Sequence, residues 1–155
     1  MKIDVVPDIT MRGKDDPHGR AAGPRPPTVG QLAGALRDLA GRRADWWALV
    51  RFDPARPSRV RLDADSAGTA EMWLTTWPPG HRAGHTGTAG QAAEVSALIA
   101  GELAEVTIGQ DGVTERPLRA GRTWVHGTGG PAGHDTRELH NVGATYAITL
   151  HARAR

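Results

Sequence analysis

The chain has no cysteine among its 155 residues, which removes disulfides, thiolate metal ligands and a cysteine nucleophile from consideration at once. Aromatic side chains are also scarce. They make up 5% of the sequence, and with one Phe and one Tyr against five Trp the core has to be filled mainly by Leu, Val, Ile, Ala and a few indoles. Nothing approaches the roughly 18 consecutive apolar residues of a membrane-spanning helix. An excess of one charge is lacking too: 19 Lys and Arg stand against 17 Asp and Glu, for a formal net charge of +2. The arginines are interspersed with acids along the whole chain, so neither nucleic acid nor a membrane surface is expected as a partner. The Gly-rich stretch Gly127 to Gly133 has no Lys-Ser/Thr sequel, which excludes a phosphate loop. Met1 to Arg20 carries no apolar run of the secretory kind, and the expectation is a cytoplasmic protein.

What is present fits one domain, since a chain of this length buries about two-thirds of its unfolded surface in a single core. Residues 1 to 27 combine five prolines with Gly and mixed charge, the composition of a flexible arm whose Ile3 to Val6 can add a strand to a sheet edge. Thr28 opens a helix predicted over residues 28 to 43: Thr28 and Gln31 form a capping box, and Val29, Leu32, Leu36 and Leu39 recur at helical spacing. From Trp46 to residue 153 the pattern changes to short apolar runs cut by Pro, Gly and Asp. These runs are Trp46 to Phe52, Arg59 to Leu62, Thr69 to Trp77, Ala92 to Ala100, Leu103 to Ile108, Thr123 to His126 and Ala144 to His151. Gly109 to Gly112 supplies a hairpin turn. With no helical crossover between them, the strands are expected to be antiparallel, in a mainly β, small jelly-roll barrel.

The segment Trp73-Leu-Thr-Thr-Trp-Pro-Pro-Gly80 resembles the strand and turn that lead into the metal site of cysteine-dioxygenase-type cupins. The likeness continues through Gly101-Glu-Leu103, Leu118 to Gly121, and Asn141 with His151, about the last hundred residues. The resemblance implies a cupin barrel, an oxidoreductase acting on a small anionic, amino-acid-like substrate, and Fe(II) held by three histidines. Two of those follow Pro-Gly as His-x-His, and the third lies four residues before the Asn. Here the first position has His85 beside it, the second is Gly87, Thr88 or Ala89, and the third is Arg137, a permanent cation. A rearranged metal set of His85, Glu94 and His140, or His134 in place of His140, offers two imidazoles and a carboxylate for Fe(II).

On the last strand the family pattern Ser-x-His-x-Tyr reads Thr149-Leu-His151-Ala-Arg153, which makes Thr149, His151 and Arg153 the catalytic candidates. Arg61, at the place of the family's carboxylate-binding arginine, joins Arg137 and Trp77 as substrate-binding candidates. Guanidinium groups gathered in one barrel bind carboxylates without a metal. Period-two alternation expects Arg137, Leu139 and Asn141 on the interior face and Glu138 and His140 outside. Two further readings stay open: a metal-independent cupin that binds or converts an anionic small molecule in a His/Arg pocket, and a non-catalytic barrel that pairs through an exposed edge. A homodimer is the ordinary expectation for a symmetric assembly.

Overall fold

The computed structural model describes residues 25–63, 69–85, 93–126 and 136–155, with the side chains of residues 85 and 136 excepted. The expected arm therefore falls almost wholly outside the described residues. The helix forms where local chemistry places it, as α1 (Val29–Gly41). Gln31 donates its backbone N–H to the Thr28 hydroxyl while the Gln31 side chain accepts from the Thr28 backbone, satisfying two of the orphan donors at a helix start. Its buried stripe is Leu32, Leu36 and Leu39.

Among the described residues nine strands follow: β1 (Ser58–Leu62), β2 (Ala70–Trp77), β3 (Arg82–His85), β4 (Glu94–Ala100), β5 (Leu103–Gly109), β6 (Gly112–Leu118), β7 (Thr123–His126), β8 (Thr136–His140) and β9 (Ala147–Ala154). They build a five-stranded sheet in the order β1-β2-β9-β4-β7 and a four-stranded sheet in the order β3-β8-β5-β6. All pairs are antiparallel. From β2 to β5 each strand crosses to the opposite sheet, and β7, β8 and β9 do the same after the β5–β6 hairpin, which turns through Gln110 and Asp111 as expected. This is jelly-roll connectivity. Among the described residues, no helix is long and apolar enough to cross a membrane.

Two sequence expectations need correction. Trp46 to Phe52 is not a strand but a 3-10 turn, Trp47–Leu49, preceded by another at Arg43–Asp45 and followed by a loop. Its buried residues, Trp46 and Val50, are four apart, while Trp47, Leu49 and Phe52 are exposed, which is the spacing of a turn and not of a strand. The Trp46 indole N–H donates to the Leu39 carbonyl at 3.0 Å and ties this segment to α1. Strands β3, β6 and β8 were not among the apolar runs, because they carry few apolar residues; β6 is exposed along nearly its whole length and tolerates Pro117 as an edge strand.

Alternation gives the five-stranded sheet two unlike faces. Leu62, Ala70, Met72, Leu74, Val95, Ile148, Leu150 and Ala152 point to one side, where α1, Trp46 and Val50 cover them in the main core. The other side faces the second sheet, and a smaller apolar cluster joins the two: Trp77, Leu98 and Ala147 meet Leu103 and Leu139. Away from that cluster the inner face turns polar.

Candidate functional site on the inner sheet face

The inner rows of β2, β9 and β4 bring Trp77, Thr149, His151, Ser96 and Glu94 into one buried chain of hydrogen bonds. The Trp77 indole N–H, which can only donate, gives its proton to the Thr149 hydroxyl at 2.9 Å. Thr149 then has one proton to place. His151 Nε2 stands 2.7 Å away and the Thr75 carbonyl 3.4 Å, beyond the usual range for a hydroxyl donor, so the proton goes to the imidazole. At the far side of the ring, Nδ1 meets Ser96 Oγ at 2.8 Å and Glu94 Oε1 at 3.0 Å. A carboxylate only accepts, which places an imidazole proton on Nδ1. Both nitrogens of His151 are engaged, and 4% of its surface is exposed.

Replacing Thr149 with Val keeps the shape but leaves the Trp77 N–H and His151 Nε2 without their partner. The expected cost is about 2–4 kcal/mol, from two stranded buried groups at about 1–2 kcal/mol each. Urea unfolding checks it, with Thr149→Ser recovering most of the loss.

One face of the His151 ring lies on Trp73, with centroids 5.1 Å apart and the planes within 2° of parallel. Beside the indole, the Arg59 guanidinium carbon sits 4.0 Å from the ring centroid and that of Arg153 5.6 Å. Arg153 donates to Glu71 at 2.7 Å, and Arg59 reaches the same carboxylate at 3.9 Å. Arg61 stands opposite Trp73 in the β1–β2 register, on this row. The hydrogen bond from Arg153, helped by the positive charges of Arg153, Arg59 and Arg61, holds the Glu71 carboxyl below its usual pKa. Its contribution to stability is thus present at neutral pH and is lost only as pH falls through that lowered value.

The second sheet presents charge of its own. Glu105, 8% exposed, accepts from Arg116 at 2.7 Å and lies 3.9 Å from Arg137. Arg137 and Leu139 share a row, as expected from alternation, because Leu139 pairs with Glu105 and joins the inner cluster.

Of the catalytic candidates, Thr149 and His151 meet in one network, whereas Arg153 turns to Glu71. Among the substrate-binding candidates, Arg61 and Arg137 lie on different sheets, and Trp77 is buried in the apolar cluster. Ser96, Glu71 and Glu105 were not singled out in the sequence, although Ser96 lies two residues from Glu94, the period that puts both on one strand face. A cleft of about 260 Å³, lined by Arg25, Gln31, Thr69 and Met72 among others, opens on the opposite side of β2 and is separate from these residues.

A ferrous site of the kind implied by the resemblance calls for three neutral or anionic donors around one point. The described residues do not supply them: no group of three His, Cys, Asp or Glu side chains could hold a metal ion. Glu94 is bonded to His151, and His140 sits on the other sheet in the row of Glu138, its Nδ1 buried without a hydrogen-bond partner among the described residues. Residue 85 pairs in register with Arg137, so a fixed cation occupies the position opposite it. His134 lies outside the described residues, as does the His85 side chain.

Among solved structures, a protein of Thermus thermophilus matches with a TM-score of 0.51 and 21% identity over 71% of this chain and 93% of that one. A cupin superfamily protein of Desulfitobacterium hafniense gives a TM-score of 0.48 and 11% identity over 71% and 87%. Recombinant oxalate oxidase in complex with glycolate gives 0.47 and 25% identity; the match takes in 64% of this chain and 51% of that one, about half its length. No curated protein matches the chain. The fold is that of the cupins, and the cysteine dioxygenase type I family model matches residues 30–152. The chain belongs to the cysteine dioxygenase type I family.

Proposed function

We propose that this protein is a cupin that holds a small anionic compound by its carboxylate on the inner sheet face, and that it does so without iron at the family's ligand positions. The observation that carries this reading is the Arg59–Trp73–His151 stack with Arg153 and Arg61 alongside, placed on the face that looks into the jelly roll. Guanidinium groups braced by an aromatic face are preorganised to grip a carboxylate in bidentate fashion. The imidazole stacks on the same indole, and the Thr149 and Glu94 bonds keep the imidazole fixed in turn. Arg137 opposite residue 85 argues in the same direction, since a guanidinium repels a divalent ion where the family places a ligand.

A second reading is favoured by the family match itself: an oxidoreductase of the thiol-dioxygenase kind, acting on an amino-acid-like thiol, with iron held by a rearranged set that includes His85 and His134. Metal analysis after anaerobic Fe(II) loading separates the two. Sub-stoichiometric iron in both the parent chain and His85→Ala, together with a rise in melting temperature on adding a carboxylate, is the expected result. Stoichiometric iron that disappears in His85→Ala overturns the first reading in favour of the second.

A further inference from the structure

We infer that the preferred ligand of this face carries two negative charges, as a small dicarboxylate does, and is not an amino-acid zwitterion; this rests on the reading that the inner face takes an anion. Arg59, Arg61 and Arg153 stand against two carboxylates on this face, Glu71 and Glu94, the latter opposite Arg153 in the β4–β9 register, which leaves one positive charge in excess beside Trp73. The three differ in what they still offer. Arg153 is committed to Glu71 through one nitrogen at 2.7 Å, and Arg59 sits over the indole at 4.0 Å with Glu71 no nearer than 3.9 Å. Arg61 is exposed and, among the described residues, makes no hydrogen bond or ion pair. An unpaired guanidinium fork fits one carboxylate; the surplus on the facing sheet, where Arg116 and Arg137 stand against Glu105, suits a second.

An ammonium group has no comparable place. Of the carboxylates on this face, Glu71 already accepts from Arg153 with Arg59 next to it, and Glu94 is bonded to His151. The facing sheet has the same sign of imbalance, with Arg116 and Arg137 against Glu105. A zwitterion would set its cation among guanidinium groups, whereas a dianion meets positive charge at both ends. The lowered pKa of Glu71 supports the same picture, for it keeps the resident carboxylate ionised and the count of charges fixed through the neutral range.

Isothermal titration of the full chain at constant ionic strength tests this, with acetate, alanine, malonate and succinate as probes. The better of the two dicarboxylates should bind on the order of tenfold more tightly than acetate, as one added charge-assisted hydrogen bond implies, and alanine more weakly than acetate. Arg61→Gln should remove most of the dicarboxylate advantage, while Arg43→Gln, which changes net charge equally at the far end of α1, should leave it intact. Acetate binding as tightly as both dicarboxylates, alanine matching the better dicarboxylate, or an unchanged preference in Arg61→Gln overturns the inference and leaves the anion-binding reading standing. If none of the four binds, both fall.

Discussion

A Gly101→Ala chain should be recovered largely unfolded, although it differs from the parent by one methyl group. Gly101 follows β4 with φ of 81°, in the left-handed region that costs a residue with a Cβ about 1–3 kcal/mol when the surroundings enforce it. The larger effect is steric. A Cβ built there would lie 2.5 Å from the Ala147 Cα, 2.7 Å from the Tyr146 carbonyl oxygen and 2.8 Å from the Ala147 Cβ. None of these is the end of a flexible side chain. Ala147 begins β9, pairs with Trp77 and is fully buried in the cluster that joins the two sheets, so moving it disturbs the central strand of the five-stranded sheet. Overpacking of a well-packed core costs a further 1–3 kcal/mol, roughly, and more where backbone has to shift. Together, with the backbone shift, these reach the low end of the stability of an ordinary domain, about 5–15 kcal/mol. Gly80→Ala is the matched control, with φ of 70° and open space around the added methyl. It should lose only about 1–2 kcal/mol. Near-ultraviolet circular dichroism and urea titration compare the two, and equal losses would show that the approach of Gly101 to Ala147 is not as tight as described.

That turn was visible in the sequence as part of Gly101-Glu-Leu103, and the reason other features were or were not visible is physical. The α1 boundaries could be read because a capping box and a leucine stripe are local signals, complete within thirteen residues. Strands β2, β4, β5 and β9 could be read because each buries at least one face and so spells out an apolar run. Strands β3, β6 and β8 have no such signature: two lie at sheet edges, and β8 is mostly polar. Trp46 to Phe52 misled in the opposite sense, since its apolar residues are shared between the core and solvent. At the site, Thr149 and His151 were found through the family pattern. Which residues they bond to was not legible, because partner choice depends on cross-strand register. Glu71 lies 82 residues from Arg153 in the chain and becomes its neighbour only through the β2–β9 pairing.

Asn141→Ala should lower stability by about 4–6 kcal/mol, the summed effect of stranding several buried polar groups at about 1–3 kcal/mol each. Asn141 is wholly buried, and its amide nitrogen donates to the carbonyls of Trp77 at 2.8 Å and Thr145 at 2.9 Å while its amide oxygen accepts from the Gly143 N–H at 3.0 Å. Its backbone adds bonds to Gly80 and His81, so one residue ties the end of β2, the turn after it, the end of β8 and the approach to β9. Alanine keeps the backbone bonds and loses the other three. Asp is the sharper test. It can still accept from Gly143, but a carboxylate directed at two carbonyl oxygens is disfavoured in its charged form, which raises its folded-state pKa above the unfolded value. The deficit of Asn141→Asp should therefore be greatest at neutral pH and shrink as pH falls, because the protonated acid can donate to one of the two carbonyls. Urea midpoints measured across the acid range report this directly. A deficit that grows on acidification would mean that the side chain does not face the carbonyls of Trp77 and Thr145 as described. Because the indole of the same Trp77 donates to Thr149, loosening its backbone should also weaken the hold on His151 and Trp73, and the affinity for a carboxylate should fall in the variant that unfolds more easily.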